Sequence, residues 1–94
     1  MLTLQDTKLE IFSFDEDDKE PFYSLTNLKK SPEGLDIQKL SKTSPTRLDE
    51  ALNEMGCITL LSTSDVKQLI QNENLDENNL HEEIFILMKR EKLI

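Results

Sequence analysis

Ser44-Pro45-Thr46-Arg47-Leu48-Asp49-Glu50-Ala51-Leu52-Asn53-Glu54-Met55-Gly56-Cys57-Ile58-Thr59-Leu60-Leu61 encodes a helix, a stop and a strand in succession. A serine side chain can accept a hydrogen bond from an orphan amide at a helix start, and proline suits the first helical position. Leu48, Ala51, Leu52 and Met55 then recur at the spacing of one helix face. Gly56 ends that helix, because glycine enters the left-handed conformation without steric cost. The short apolar run Cys57–Leu61 that follows favours a buried strand over coil.

Downstream, the same punctuation repeats. Ser62 or Ser64 caps a second helix with Val66, Leu69 and Ile70 inward, and the polar stretch Gln71-Asn72-Glu73-Asn74 ends it. Asp76 caps a third helix, with Leu75 before the cap and Leu80 inside it spaced as a hydrophobic staple. Asp76 and Glu77 sit at the positive end of its dipole, and Lys89, Arg90 and Lys92 at the negative end. Leu80, Ile84, Leu87 and Met88 make its core stripe, while Phe85 and Ile86 widen that stripe beyond one packing face. Residues 44–94 are thus expected as a compact helical domain of three helices.

Upstream of Ser44 the signals change. Ser31-Pro32-Glu33-Gly34 is a turn, and residues 29–43 read as a linker in which Leu35–Leu40 forms one helical turn or a short strand. Residues 1–28 have strand chemistry. Leu9, Ile11 and Ser13 share one face of an extended segment and Phe12 and Phe14 the other; after an acidic run, Phe22–Thr26 returns as a second strand. The alternatives for this segment are a β-hairpin and an extended arm ordered by a partner. The expected class is α+β, mostly helical, with a C-terminal three-helix unit and that N-terminal hairpin or arm.

Composition sets the function class. Ninety-four residues, 36% hydrophobic and 32% charged, build one modest core and leave no room for a separate substrate domain. The net charge of −8 repels nucleic acid and anionic lipid, since the basic clusters Lys29-Lys30 and Lys89-Arg90 are small. With one cysteine, Cys57, no internal disulfide forms. The start of the chain lacks a basic, then apolar leader, and no stretch is long enough to span a membrane. A soluble intracellular protein is expected, cytoplasmic or nuclear.

The order helix, short strand, helix, turn, helix over the second half of the chain resembles a winged-helix domain. Thr63–Ile70 followed by Leu75–Ile94 is similar to the helix-turn-helix half of that superfamily. The resemblance implies a last helix that enters the major groove with basic or amide side chains. Here the early exposed positions of that helix are Asp76, Glu77, Asn78, Asn79, Glu82 and Glu83, which depart from that pattern. The protein-binding variant of the fold suits this charge better.

No catalytic constellation stands out. Asp15-Glu16-Asp17-Asp18 is contiguous and lacks the glycine and distal glutamate of a calcium loop, so no metal is expected there. His81 is the only histidine, and Ser62-Thr63-Ser64 is capping chemistry. Neither a cofactor nor a catalytic residue is assigned. The candidate partner-binding residues fall in two groups. In the first, Asp15, Glu16, Asp17 and Asp18 lie between the aromatics Phe12, Phe14, Phe22 and Tyr23. Either charge steers toward a basic surface where the aromatics anchor, or, slightly favoured because four of the five aromatics lie here, these rings are the protein's own core. In the second, Phe85, Ile86 and Leu93 exceed what one helical core needs, so they form either a contact surface or a face covered by a sheet or the N-terminal arm. The expectation is a non-enzymatic adaptor, inhibitor or regulatory subunit whose partner is a protein with a basic or apolar groove, or a second copy. Two other readings stand beside it: a winged-helix nucleic-acid-binding regulator, and an acidic mimic of nucleic acid occupying a basic groove.

Overall fold

A computed structural model of the chain describes residues 1–14 and 20–94; the acidic run Asp15–Asp18 lies outside the described residues. Strands β1 (Thr7–Phe12) and β2 (Phe22–Asn27) pair antiparallel, from Thr7 opposite Asn27 to Phe12 opposite Phe22. Strand β3 (Cys57–Ser62) pairs antiparallel with β2, so the order across the sheet is β1-β2-β3. Helices α1 (Ile37–Lys42) and α2 (Leu48–Glu54) connect β2 to β3, and α3 (Thr63–Glu73) and α4 (Leu80–Arg90) follow it. The fold is α+β. No described helix is long and apolar enough to cross a membrane.

Alternation along the strands sends successive side chains to opposite faces, and each face has its own helical layer. Phe12, Leu35, Leu40 and Leu52 form the core on the α1/α2 side, with Leu48, Ala51 and Met55 of the expected stripe packed around them. Leu25, Ile84, Leu87 and Met88 form the core on the α3/α4 side, joined by Leu9, Leu69, Leu75 and Leu80. The sheet therefore stands between α2 and the pair α3/α4, where three helices in one unit were expected. Within residues 29–43, read as a linker, α1 forms and Leu35 and Leu40 are buried.

Local chemistry explains the element ends. Gly56 turns the chain from α2 into β3 with φ of +82°, and a Cβ there would sit 2.9 Å from the Asn27 carbonyl oxygen. The same close approach lets the Asn27 amide donate to the Gly56 carbonyl at 2.8 Å, tying the turn to β2. Ser62 caps α3: its Oγ accepts from the Asp65 amide, and the Asp65 carboxylate accepts from the Ser62 amide, both at 3.1 Å. Asp76 accepts from the Asn78 amide at 2.9 Å and opens a single 3₁₀ turn that leads into α4. Ser44 behaves differently. A 3₁₀ turn over Pro45–Arg47 precedes α2, and the Ser44 side chain makes no capping bond.

Candidate functional site

A line of polar side chains crosses the sheet on the α1/α2 side. Thr26 Oγ1 donates to Glu10 Oε1 at 2.8 Å, and the Leu35 amide donates to the same oxygen at 3.0 Å. The single Thr26 hydroxyl hydrogen is thereby used, so Ser24 Oγ, 3.0 Å away, must donate to Thr26. By the same count the Cys57 thiol, 3.2 Å from Ser24 Oγ, donates to Ser24. Ser24 and Thr26 are fully buried, and each of their hydroxyls has a partner. The order of donation runs from thiol to carboxylate. Burial raises the Cys57 pKa, and the Glu10 charge raises it further against the opposing Ser24 hydrogen bond. Cys57 is thus a protonated hydrogen-bond donor at neutral pH, the reverse of an activated nucleophile.

His81 is engaged elsewhere. Its Nε2 lies 2.9 Å from Thr7 Oγ1, and that hydroxyl already donates to the Leu4 carbonyl at 2.8 Å. Nε2 therefore carries the hydrogen and donates to Thr7. Burial lowers the His81 pKa, which keeps the ring neutral near pH 7. The bond ties α4 to the start of β1 and does not bring His81 to Cys57. Among the described residues no three histidine, cysteine or acidic side chains cluster in a way that could hold a metal ion.

The aromatic residues divide between the two faces. Phe12, Phe14 and Phe22 meet edge to face or stacked, with ring centroids 5.2, 5.3 and 6.3 Å apart. They close the α1/α2 core, so Phe12 is buried and Phe14 and Phe22 are half-buried. Phe14 also lines a shallow apolar groove with Leu40, Pro45 and Leu48. Tyr23 belongs to the other face. It stands between Ile11 on β1 and Leu61 on β3 in one cross-strand row. The α3/α4 layer covers the preceding row, where Leu25 is wholly buried, but leaves Ile11 60% exposed. Leu61 continues the row into a groove walled by Asp65, Gln68, Leu69 and Asn72 of α3.

The C-terminal candidates separate. Phe85 is only 7% exposed and belongs to the interior. Ile86 is 53% exposed and lines a groove with Leu75, Glu73, Glu83 and Arg90, where Arg90 pairs with Glu73 at 2.8 Å. Leu93, 59% exposed, lines a different groove beside Asn27, Gly56 and Ile58. Ile94 returns to the α3/α4 core. The structure therefore gathers Phe12, Phe14 and Phe22 and sets Tyr23, Ile86 and Leu93 on separate surfaces. The sequence-based candidates did not include Ile11 or Leu61. The alternation of Leu9, Ile11 and Ser13 marked the face of Ile11, but only the helical layer above it shows where cover ends.

Comparison with protein families, curated proteins and solved structures finds no match to this chain.

Proposed function

We propose that this chain is a non-enzymatic protein-interaction module, an adaptor, inhibitor or regulatory subunit that binds a basic partner at the hairpin end of its sheet. The observation that carries the proposal is the row Ile11–Tyr23–Leu61, apolar, partly uncovered and ending in a 60%-exposed isoleucine on an edge strand. An exposed isoleucine contributes nothing to a monomer's own core, whereas an interface uses it as an anchor. Charge complements that role. Asp15, Glu16, Asp17 and Asp18 follow the same strand in sequence, and a net charge of −8 draws in a cationic surface. Cys57, held protonated and remote from His81, supports a binding role over a catalytic one.

The order of α2, β3, α3 and α4 supports the resemblance to winged-helix domains, taken in their protein-binding form because Asp76, Glu77, Glu82 and Glu83 lie at the start of α4. The test is paired capture on immobilised wild type and an Ile11→Asp variant. The proposal expects a protein that binds wild type, is released as salt rises from about 50 to about 500 mM, and is missing from the variant column. Equal retention on both columns overturns it. So does salt-sensitive binding of duplex DNA through Lys67, Lys89, Arg90 and Lys92.

A further inference from the structure

We infer that β1 accepts an extended segment of the partner as a fourth strand of the sheet, with apolar residues of that segment beside Ile11 and lysine or arginine residues beside Glu10. This rests on the interaction reading above and specifies its geometry. β1 is an edge strand, and among the described residues no backbone hydrogen bond reaches Lys8–Phe12 from any element but β2. Its pairing with β2 is unbroken over six residues, so its outer edge offers a regular row of amides and carbonyls. A strand laid there would cover Ile11 on the α3/α4 side with its own apolar side chains.

On the opposite side its side chains would stand beside Glu10. Among the described residues Oε1 of Glu10 accepts from Thr26 and the Leu35 amide and Oε2 lies against Gly34, so incoming cations would be drawn by the carboxylate's charge and not by a free oxygen. The net charge of −8 gives the same preference for a cationic segment. The other edge, β3, is less suited. A register shift opposite Leu25/Thr26 breaks its regularity, α3 starts at the residue after its end, and none of its side chains is fully exposed. A second copy of this chain is disfavoured as the added strand, since each copy carries a charge of −8.

The probe is a short synthetic peptide alternating valine and lysine, titrated into the isotope-labelled full chain. Its controls replace lysine by glutamate, or N-methylate alternate amides of the peptide. Binding should slow hydrogen exchange of amides within Lys8–Phe12 and shift the Ile11 methyl signals. N-methylation, or Ile11→Asp in the protein, should weaken it by about tenfold or more, and the glutamate peptide should not bind. Binding that tolerates N-methylation, or that perturbs β3 or the Ile86 groove instead, overturns strand addition and leaves the interaction reading standing. Absence of binding by the valine–lysine peptide overturns strand addition as well, and the capture experiment then decides the interaction reading separately.

Discussion

Replacing Thr26 by valine preserves the shape of the side chain and deletes one hydroxyl at the centre of the buried polar line. Two losses follow. The Glu10 carboxylate loses the 2.8 Å bond from Thr26 Oγ1, and a hydrogen bond to a charged group contributes about 1.5–3 kcal/mol. The buried Ser24 hydroxyl loses the acceptor 3.0 Å away, and an orphaned buried donor costs about 1–3 kcal/mol. The added methyl group returns about 0.8 kcal/mol of apolar burial. The Leu35 amide still donates to Glu10, and the carboxylate is only partly buried, so we place the net destabilisation at about 2–3 kcal/mol. For a domain of this size that corresponds to a melting temperature lower by roughly 10–20 °C. Urea unfolding of wild type, Thr26→Val, Ser24→Ala and the double variant reads this directly. The double variant should cost less than the sum of the singles by about 1 kcal/mol, because Ser24 can no longer be stranded. A Thr26→Val protein within about 0.5 kcal/mol of wild type, or strict additivity, would refute the order of donation from Cys57 through Ser24 and Thr26 to Glu10.

Gly34→Ala tests the same carboxylate from the other side. A Cβ at Gly34, whose φ is +84°, would lie 2.7 Å from Glu10 Oε2. The left-handed backbone costs about 1–2 kcal/mol, and displacing Glu10 from the Leu35 amide adds to it; in a Glu10→Ala background only the backbone cost should remain in urea unfolding. Phe85→Ala should destabilise by about 3–5 kcal/mol, as a buried phenylalanine does, where a surface anchor would leave the unfolding midpoint unmoved. For His81, the folded-state pKa lies below the unfolded value of about 6.5. The unfolded chain therefore binds the proton more readily, and stability is lost as pH falls below the unfolded value. Subtracting the pH profile of His81→Gln from that of wild type in thermal melts should expose this decline, and a difference that grows as pH falls would contradict it.

The features visible in the sequence are those made by neighbours along the chain. The Ser62 and Asp76 caps, the Gly56 stop and the Leu75/Leu80 staple each involve residues within one or two turns, so residue type and spacing specify them. The sheet order is different, because pairing β2 with β3 joins residues such as Ser24 and Leu60 across more than a third of the chain. Without that register, Glu10, Ser24, Thr26 and Cys57 look like unrelated polar positions and Leu35 and Leu40 like parts of a linker. Phe85 and Ile86 carry the same apolar signal in sequence. One is buried and the other exposed through the rotation of α4 against the sheet, which only tertiary packing determines. Ile11 was hidden for a related reason: exposure of an alternating residue depends on how far the helical layer reaches.

The central claim is that Ile11, at the exposed end of its row, is surplus to the fold and serves a partner. Urea unfolding of purified Ile11→Asp beside wild type measures this most directly. The account predicts midpoints and slopes equal within about 0.5 kcal/mol of stability, as for a surface substitution away from any core contact. A loss of about 2 kcal/mol or more, the scale of a buried isoleucine, would place Ile11 inside the protein's own core and contradict the assignment.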